Sequence, residues 1–166
     1  MHAESMALME KHLQRALVQS RVQHHKVLDV GSMDINGSYK ELCEGYGMHY
    51  WGIDIRDGKN VDQMVDGENW HIDNESYDVV ISGNSFHNMR RPWLVIKEMD
   101  RVLKPRGLLI IVTIWSHGIN EYPADYWRIT DNGLFVLFDE TSLMTSTYVI
   151  EMDGLGNTAG SAFKHA

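Results

Sequence analysis

The chain has 166 residues, a net charge of −8 and a pI near 5.5. That length is one domain with enough material for a real core, and an acidic field repels phosphate backbones, which argues against nucleic acid as a substrate. No apolar run is long enough to span a bilayer and no basic-then-apolar leader opens the sequence, so the chain reads as soluble and cytoplasmic. A single cysteine, Cys43, excludes an internal disulfide, and the 9 histidines show no ligand spacing with it, which speaks against a structural metal.

Residues Glu4 to Gln19 place Met6, Met9, Leu13, Ala16 and Leu17 at helical spacing, which predicts an amphipathic helix packed on a sheet. The stretch 27–38, VLDVGSMDINGS, follows as an apolar run ending on Gly31, a loop, and Ser38 opening a helix that Gly47 closes. It reads as strand, tight turn and helix, the organising ligand-binding turn of the chain. Gly31 lets backbone approach a ligand, and the N–H groups at the start of the next helix face the same space. Cys43, on that helix, reads as a small buried hydrophobe. Met48 to Asp54 is a second strand whose end lies beside the first in a crossover unit, so Asp54 can reach a ligand lying across Gly31. A carboxylate there suits ribose hydroxyls.

Between Arg56 and Ser76, turns at Asp57-Gly58, Asp66-Gly67 and Asp73-Asn74 punctuate a faint short strand, Val61 to Val65. Tyr77 to Ser82 is nearly continuously apolar, as a central parallel strand covered on both faces must be. Pro92 can begin a helix without its N–H; Trp93, Ile96, Met99 and Leu103 form its stripe, and Lys104-Pro105 ends it. Leu108 to Trp115 is the next buried strand. Residues 116–128, SHGINEYPADYWR, form a long aperiodic loop of the kind that more often carries function than not. A helix over Ile129 to Asp139, capped by Thr130, and a strand over Thr145 to Met152 complete the readable pattern. The final GLGNTAGSAFKHA is weakly patterned. Only one strand of a closing hairpin is therefore expected, the C-terminal strand pair reads as shortened, and the edge left unpaired predicts a homodimer that covers it. The alternation predicts one α/β domain over 1–166, built on a doubly wound, mostly parallel sheet. Ligands of such sheets bind beyond the carboxyl ends of the strands, which gathers Asp29, Gly31, Ser32, Met33, Asp54, Ile55, Asp66, Gly67, Asn84 and Ser85 around one crevice.

The blocks VLDVGSMDINGSY, WGIDI and FHNMRRPWLVIKEMDRVLKPRGLLIIVTIW, in that order, resemble the class I methyltransferases that use S-adenosylmethionine (SAM), specifically the methyltransferase type 11 group. The resemblance runs from Val27 to about Glu140. It implies a Rossmann-like fold with SAM as cofactor, the Gly31 turn facing the methionine part, Asp54 the ribose, Asp66 with Gly67 the adenine, and Ile55 packed on the purine. Carboxylates suit a cationic sulfonium and amino group, and buried hydroxyls need acceptors. Asp66 also reads as a solvated turn aspartate.

Methyl transfer is an in-line displacement that rests mainly on positioning, with a base needed only for a hydroxyl or a protonated amine. His87 and His117, after the fourth and fifth strands, are the candidates, with surface or packing histidine as the alternative for each. The family's Glu-His pair near Phe86 reads His87-Asn88 here. The acceptor pocket draws on Trp115, Tyr122, Tyr126, Trp127 and Arg128, because YPADYWRIT resembles the DYWRxT segment of a branch associated with glycan and small-metabolite modification. Aromatic faces suit sugars or planar metabolites, and Arg128 an acidic group. Alternatively Tyr126 and Trp127 staple the loop to the next helix and Arg128 pairs with Asp125. The reading is a SAM-dependent methyltransferase acting on an O or N atom of a small metabolite or glycan-type acceptor. A SAM-binding sensor or inactive subunit is a second reading, favoured by Met33 and Ile35 at usual glycine positions, by Asn84 in place of an acid and by the truncated C-terminal end. A nucleotide-cofactor oxidoreductase is a third, disfavoured because no G-x-G-x-x-G is present.

Overall fold

In the computed structural model, which describes residues 3–19, 25–119 and 124–166, five strands run parallel. They are β1 (Lys26–Val30), β2 (His49–Asp54), β3 (Gln63–Met64), β4 (Tyr77–Gly83) and β5 (Leu103–Ile114). Two antiparallel strands, β6 (Val149–Met152) and β7 (Asn157–Phe163), complete a seven-stranded sheet in the order β3-β2-β1-β4-β5-β7-β6. β1 pairs with both β2 and β4, so the winding direction reverses beside it and the strand ends splay open there.

The apolar runs sort into two cores because successive strand residues point to opposite faces. Val27, Val79, Ile81, Leu108, Ile110 and Val112 pack with Met9 and Leu13 of α1 (Ala3–Gln19) and with Cys43 of α2 (Lys40–Gly45). Their neighbours Leu28, Val80, Leu109 and Ile111 pack with Ile96 and Met99 of α3 (Pro92–Val102) and with Leu134 and Phe138 of α4 (Asp131–Asp139). Central strands buried on both sides therefore need continuous hydrophobicity. Gly47, at φ +72°, closes α2 by donating its N–H to Glu44 O at 2.9 Å while Met48 donates to Cys43 O at 3.1 Å. Thr130 Oγ1 caps α4 by accepting from the Gly133 N–H at 3.3 Å.

Several boundaries differ from the sequence pattern. α2 begins at Lys40, because Ser38 Oγ accepts the Lys40 N–H at 3.0 Å in a local turn rather than opening the helix. β5 follows α3 without a loop, and its irregular start shows as a register shift opposite Tyr77 and a left-handed Arg106 at φ +63°. α4 begins at Asp131, since Ile129 instead extends toward the sheet and donates its N–H to Ile114 O at 2.9 Å. Thr145–Thr147 is a 3-10 turn, leaving only Val149–Met152 as strand.

The expectation of a single closing strand is corrected. Asn157–Phe163 is a complete strand, buried at every position and inserted between β5 and β6. Its residues are small because helices crowd it: a Cβ on Gly160 would meet Leu134 Cδ2 at 2.7 Å. Small side chains carry little hydrophobic pattern, which hid the strand. A dimer argued from a missing strand thereby loses its premise.

α1 is clipped to β6 and β7 by polar bonds as well as by its apolar stripe. His12 Nδ1 lies 2.5 Å from Ser161 Oγ and its Nε2 lies 3.1 Å from Glu151, while Arg15 donates to Ser161 O and Thr147 O at 2.9 and 2.6 Å. Burial pushes the His12 pKa down, so the ring is held neutral inside this seam. Among the described residues no helix is long and apolar enough to cross a membrane, and no group of three or more His, Cys, Asp or Glu is placed to hold a metal ion.

Candidate active site

β1 delivers Asp29 and Gly31 to the open end of the sheet. Asp29 is only 2% exposed. Tyr50 donates its hydroxyl to Asp29 Oδ2 at 2.7 Å, whereas Oδ1 is buried without a partner. Burial pushes the Asp29 pKa up to about 7; the Tyr50 hydrogen bond opposes this, and the neighbouring Asp54 carboxylate adds to it. Gly31 sits at φ +80°, and a Cβ there would fall 2.4 Å from Ser85 Oγ, which donates to Gly31 O at 3.0 Å. The turn after β1 is thus locked to the turn after β4, and only glycine fits between them.

The turn amides point inward. The Gly31 and Ser32 N–H groups both donate to Ile53 O, at 2.8 and 3.1 Å, Met33 N donates to Asp54 Oδ2 at 3.3 Å, and Asp34 N donates to Lys59 O at 3.0 Å. These four amides are committed within the fold, whereas α2 starts at Lys40 and the residues leading into it, Gly37, Ser38 and Tyr39, line the same space. A pyrophosphate needs such donors, and here it would meet carboxylates instead. A cationic ligand group is what this turn favours. Asp54 also accepts from Arg56 N at 3.2 Å, which fixes its side chain at the end of β2. Ile55, 57% exposed, presents an apolar face next to it. Asp66 is engaged through Oδ1 by the Glu68 and Asn69 N–H groups at 3.2 and 2.8 Å, and so serves its turn while lining the same space.

After β4 the chain enters Asn84 at φ +55°, then the 3-10 turn Phe86–Asn88. His87 is 4% exposed, and its carbonyl accepts the Tyr126 and Trp127 N–H groups at 2.9 and 3.1 Å. Burial pushes the His87 pKa down to about 4, with the Asp125 carboxylate pulling the other way. The ring is therefore neutral through the physiological range. Asn84 Oδ1, His87 Nδ1 and Asn88 Oδ1 are all buried with no hydrogen-bond partner.

These parts line one cavity of about 1080 Å³. It holds Asp29, Gly31, Ser32, Met33, Asp54, Ile55, Asp66, Gly67, Asn84 and Ser85 from the predicted cofactor set, together with His87, His117 and Tyr126. Ligand pockets run roughly 300–1,000 Å³, so there is room for two small molecules side by side. The expected acceptor wall is corrected at three places. Trp127 donates Nε1–H to Met89 O at 2.9 Å and meets Trp93 edge-on at 5.9 Å, stapling the loop to α3. Arg128 forks onto Asp125 at 2.5 and 2.8 Å and onto the carbonyls of His117 and Gly118, so its guanidinium is spent on the loop itself. Trp115 donates to Asp153 O at 3.2 Å beneath the β6–β7 turn. None of the three lines the cavity. His117 is exposed, with Nδ1 3.1 Å from Gly118 O. Tyr122 lies outside the described residues. Sequence reasoning missed Tyr39, Trp70, Asn88, Arg90 and Asn157 on the cavity wall. Asn88 was within reach, one position from His87 in the same turn; Asn157 belongs to the strand that the pattern hid.

A doubly wound sheet closed by an antiparallel pair, with a carboxylate-lined cavity across β1, β2 and β4, defines the class I methyltransferase architecture. Consistent with it, a model of the methyltransferase domain family, described as "Methyltransferase domain", matches residues 28–111. The chain belongs to that family and is a SAM-dependent methyltransferase. Similar solved structures include a SAM-dependent methyltransferase from Aquifex aeolicus, with a TM-score of 0.69 and 16% identity over 93% of this chain and 88% of that one. A second is the Burkholderia thailandensis 1,6-didemethyltoxoflavin-N1-methyltransferase with 1,6-didemethyltoxoflavin and S-adenosylhomocysteine (SAH) bound, with a TM-score of 0.70 and 16% identity over 99% and 78%. A third is the YcgJ protein of Bacillus subtilis, at 0.71 and 15% over 99% and 100%. At such identities the likeness establishes the fold. No curated protein matches the chain.

The residues present fit SAM. Asp29 Oδ1, buried and without a partner, is an acceptor that an ammonium group would satisfy, and the Gly31 and Ser32 amides, turned toward Ile53 O, do not compete for it.

Proposed function

We propose that this enzyme moves a methyl group from SAM to an O or N atom of a small metabolite or glycan-type acceptor, with the chain 1–166 acting as one domain and 116–128 as its acceptor loop. The observation that carries the reading is the continuity of the cavity from the Asp29 and Asp54 carboxylates to His87 and Tyr126 in a volume of about 1080 Å³. Bound SAM supplies an electrophilic methyl group on a sulfonium that is already a good leaving group. Asp29 holds the cationic amino end through Oδ1, and Asp54 accepts from the ribose hydroxyls. Asp66, Gly67 and Ile55 border the adenine. Tyr126, 51% exposed on the wall, offers an aromatic face to the acceptor.

His87 is the base we favour over the exposed His117. A buried neutral imidazole orients an acceptor O–H or N–H by accepting its hydrogen bond, and takes the proton as the acceptor becomes acidic during attack. Its low pKa makes it a weak base, so most of the rate comes from holding the reactants in line. The small-molecule ligand of the Burkholderia enzyme of like fold is compatible with this reading. Conversion of SAM to SAH measured against a panel of phenols, amines and sugars tests it. The expectation is turnover with at least one small acceptor, lowered about 100-fold in kcat by His87→Ala with SAH affinity kept. Turnover that His87→Ala leaves intact would remove His87 from the chemistry, and no turnover with any small acceptor would refute the acceptor class.

A further inference from the structure

The sequence nominates Arg128 to meet an acidic group, and the structure spends it on Asp125 and two carbonyls of its own loop. A different guanidinium stands open on the cavity wall. Arg90 lines the cavity, is exposed, and its side chain makes no hydrogen bond or ion pair among the described residues. The next cations along the chain are all engaged: Arg91 is held by Glu68 at 2.5 Å, Lys97 by Glu140 at 3.1 Å and Arg101 by Glu98 at 2.8 Å. A guanidinium is always charged and presents five donors in a fixed fork, so one left open beside a ligand space is available to an anion.

The segment around Arg90 is bound to the acceptor loop on both sides. His87 O accepts the Tyr126 and Trp127 N–H groups, Met89 O accepts Trp127 Nε1–H at 2.9 Å, and Trp93 meets Trp127 edge-on. Arg90 therefore leaves the backbone from the stretch that anchors Tyr126, and both side chains border the same space. A free guanidinium and an exposed aromatic face on one wall suit a planar molecule with an anionic edge. The net charge of −8 repels anions from the molecule as a whole, so preference for one demands a local cation.

We propose that Arg90 determines acceptor specificity, and that the methyl acceptor carries a carboxylate or phosphate handle that Arg90 binds while its planar body lies against Tyr126. The inference rests on the proposed function above and names the chemistry of its acceptor. The handle is separate from the O or N atom that takes the methyl group.

4-Hydroxybenzoate, phenyl phosphate, 4-hydroxybenzamide and tyramine share an aromatic ring and differ in charge; titrating each into the SAH-loaded protein at low salt tests the proposal. SAH affinity is measured first. A native chain that does not bind SAH fails the cofactor reading itself, whereas one that binds SAH but ignores probe charge fails this inference alone. One of the two anions is expected to bind at least about tenfold more tightly than the neutral amide, and the tighter one identifies the handle. Tyramine should bind more weakly than either anion, and added salt should erode the preference. Arg90→Gln should bring the preferred anion within about twofold of the amide while SAH affinity stays within about twofold, and Arg90→Glu should invert the order in favour of tyramine. No binding by either anion, or an anion preference that survives Arg90→Gln, would overturn the inference. So would tyramine binding best to the native protein, which would pass the reading to Glu4 on the same wall, or lost SAH affinity in Arg90→Gln, which would put Arg90 on the cofactor's carboxylate.

Discussion

Asp29→Asn tests the electrostatic logic of the site most directly. Asp29 is buried, and its pKa is raised from 3.8 to about 7 chiefly by that burial. Each pKa unit corresponds to about 1.4 kcal/mol, so ionising Asp29 opposes folding by about 4 kcal/mol at pH 8. The folded state holds this proton more tightly than the unfolded chain does. The penalty is therefore absent below about pH 4, grows between about pH 4 and 7, and is constant above. Asparagine removes it and keeps an acceptor for the Tyr50 hydroxyl, at a pH-independent change of about 1 kcal/mol.

Urea unfolding of both proteins from about pH 4.5 to 8.5 should show the variant gaining on the native protein by about 3–4 kcal/mol as pH rises. Calorimetry at pH 8 should show the opposite effect on function: SAH binding weakened about 10- to 100-fold, the worth of a charge-assisted hydrogen bond to the ligand's amino group. The native protein should release a proton on binding SAH near pH 6.5, seen as a dependence of binding heat on buffer ionisation. A stability difference that is flat with pH, or a variant that binds SAH undiminished, would refute the assignment of Asp29.

Gly31→Ala should destabilise the fold by about 2–4 kcal/mol in chemical denaturation. The new methyl group is forced into the left-handed region at φ +80° and against Ser85 Oγ and Cβ, and Ser85→Gly in the same chain should recover part of the loss. His87, with its pKa held near 4, should show no protonation shift of its ring signals by NMR above about pH 5.5. Because the unfolded chain takes up that proton near pH 6.5, His87 contributes about 3 kcal/mol of stability above pH 6.5 that is lost as pH falls toward 4. His87→Gln should flatten that limb of the stability profile.

Much of the scaffold was legible because its signals are local. YDVVIS and LLIIVTIW are strands because residues covered on both faces need unbroken hydrophobicity, and Thr130 and Gly47 mark helix ends through their own chemistry. β7 was illegible for the converse reason: its small residues answer to helices far away in sequence, as Gly160 does to Leu134. The crevice residues on β1, β2 and β4 could be gathered from topology alone, since parallel winding places every strand end on one edge. Orientation could not. Whether Arg128 faces a ligand or Asp125, and whether Trp127 lines a pocket or staples a loop to Trp93, depends on partners that no spacing encodes.

Taken by itself, then, the order of residues determined the doubly wound sheet, the glycine turn with its two flanking acids, and the resemblance to SAM-dependent methyltransferases, because these follow from periodicity and chain direction. Tertiary structure alone decided which polar atoms are satisfied. It turned the Gly31 and Ser32 amides toward Ile53, left Asp29 Oδ1, His87 Nδ1 and Asn88 Oδ1 buried without partners, and consumed Arg128 on its own loop. The physical reason is that a hydrogen bond is a matter of ångströms and angles between segments distant in sequence, and those distances exist only once the sheet has closed.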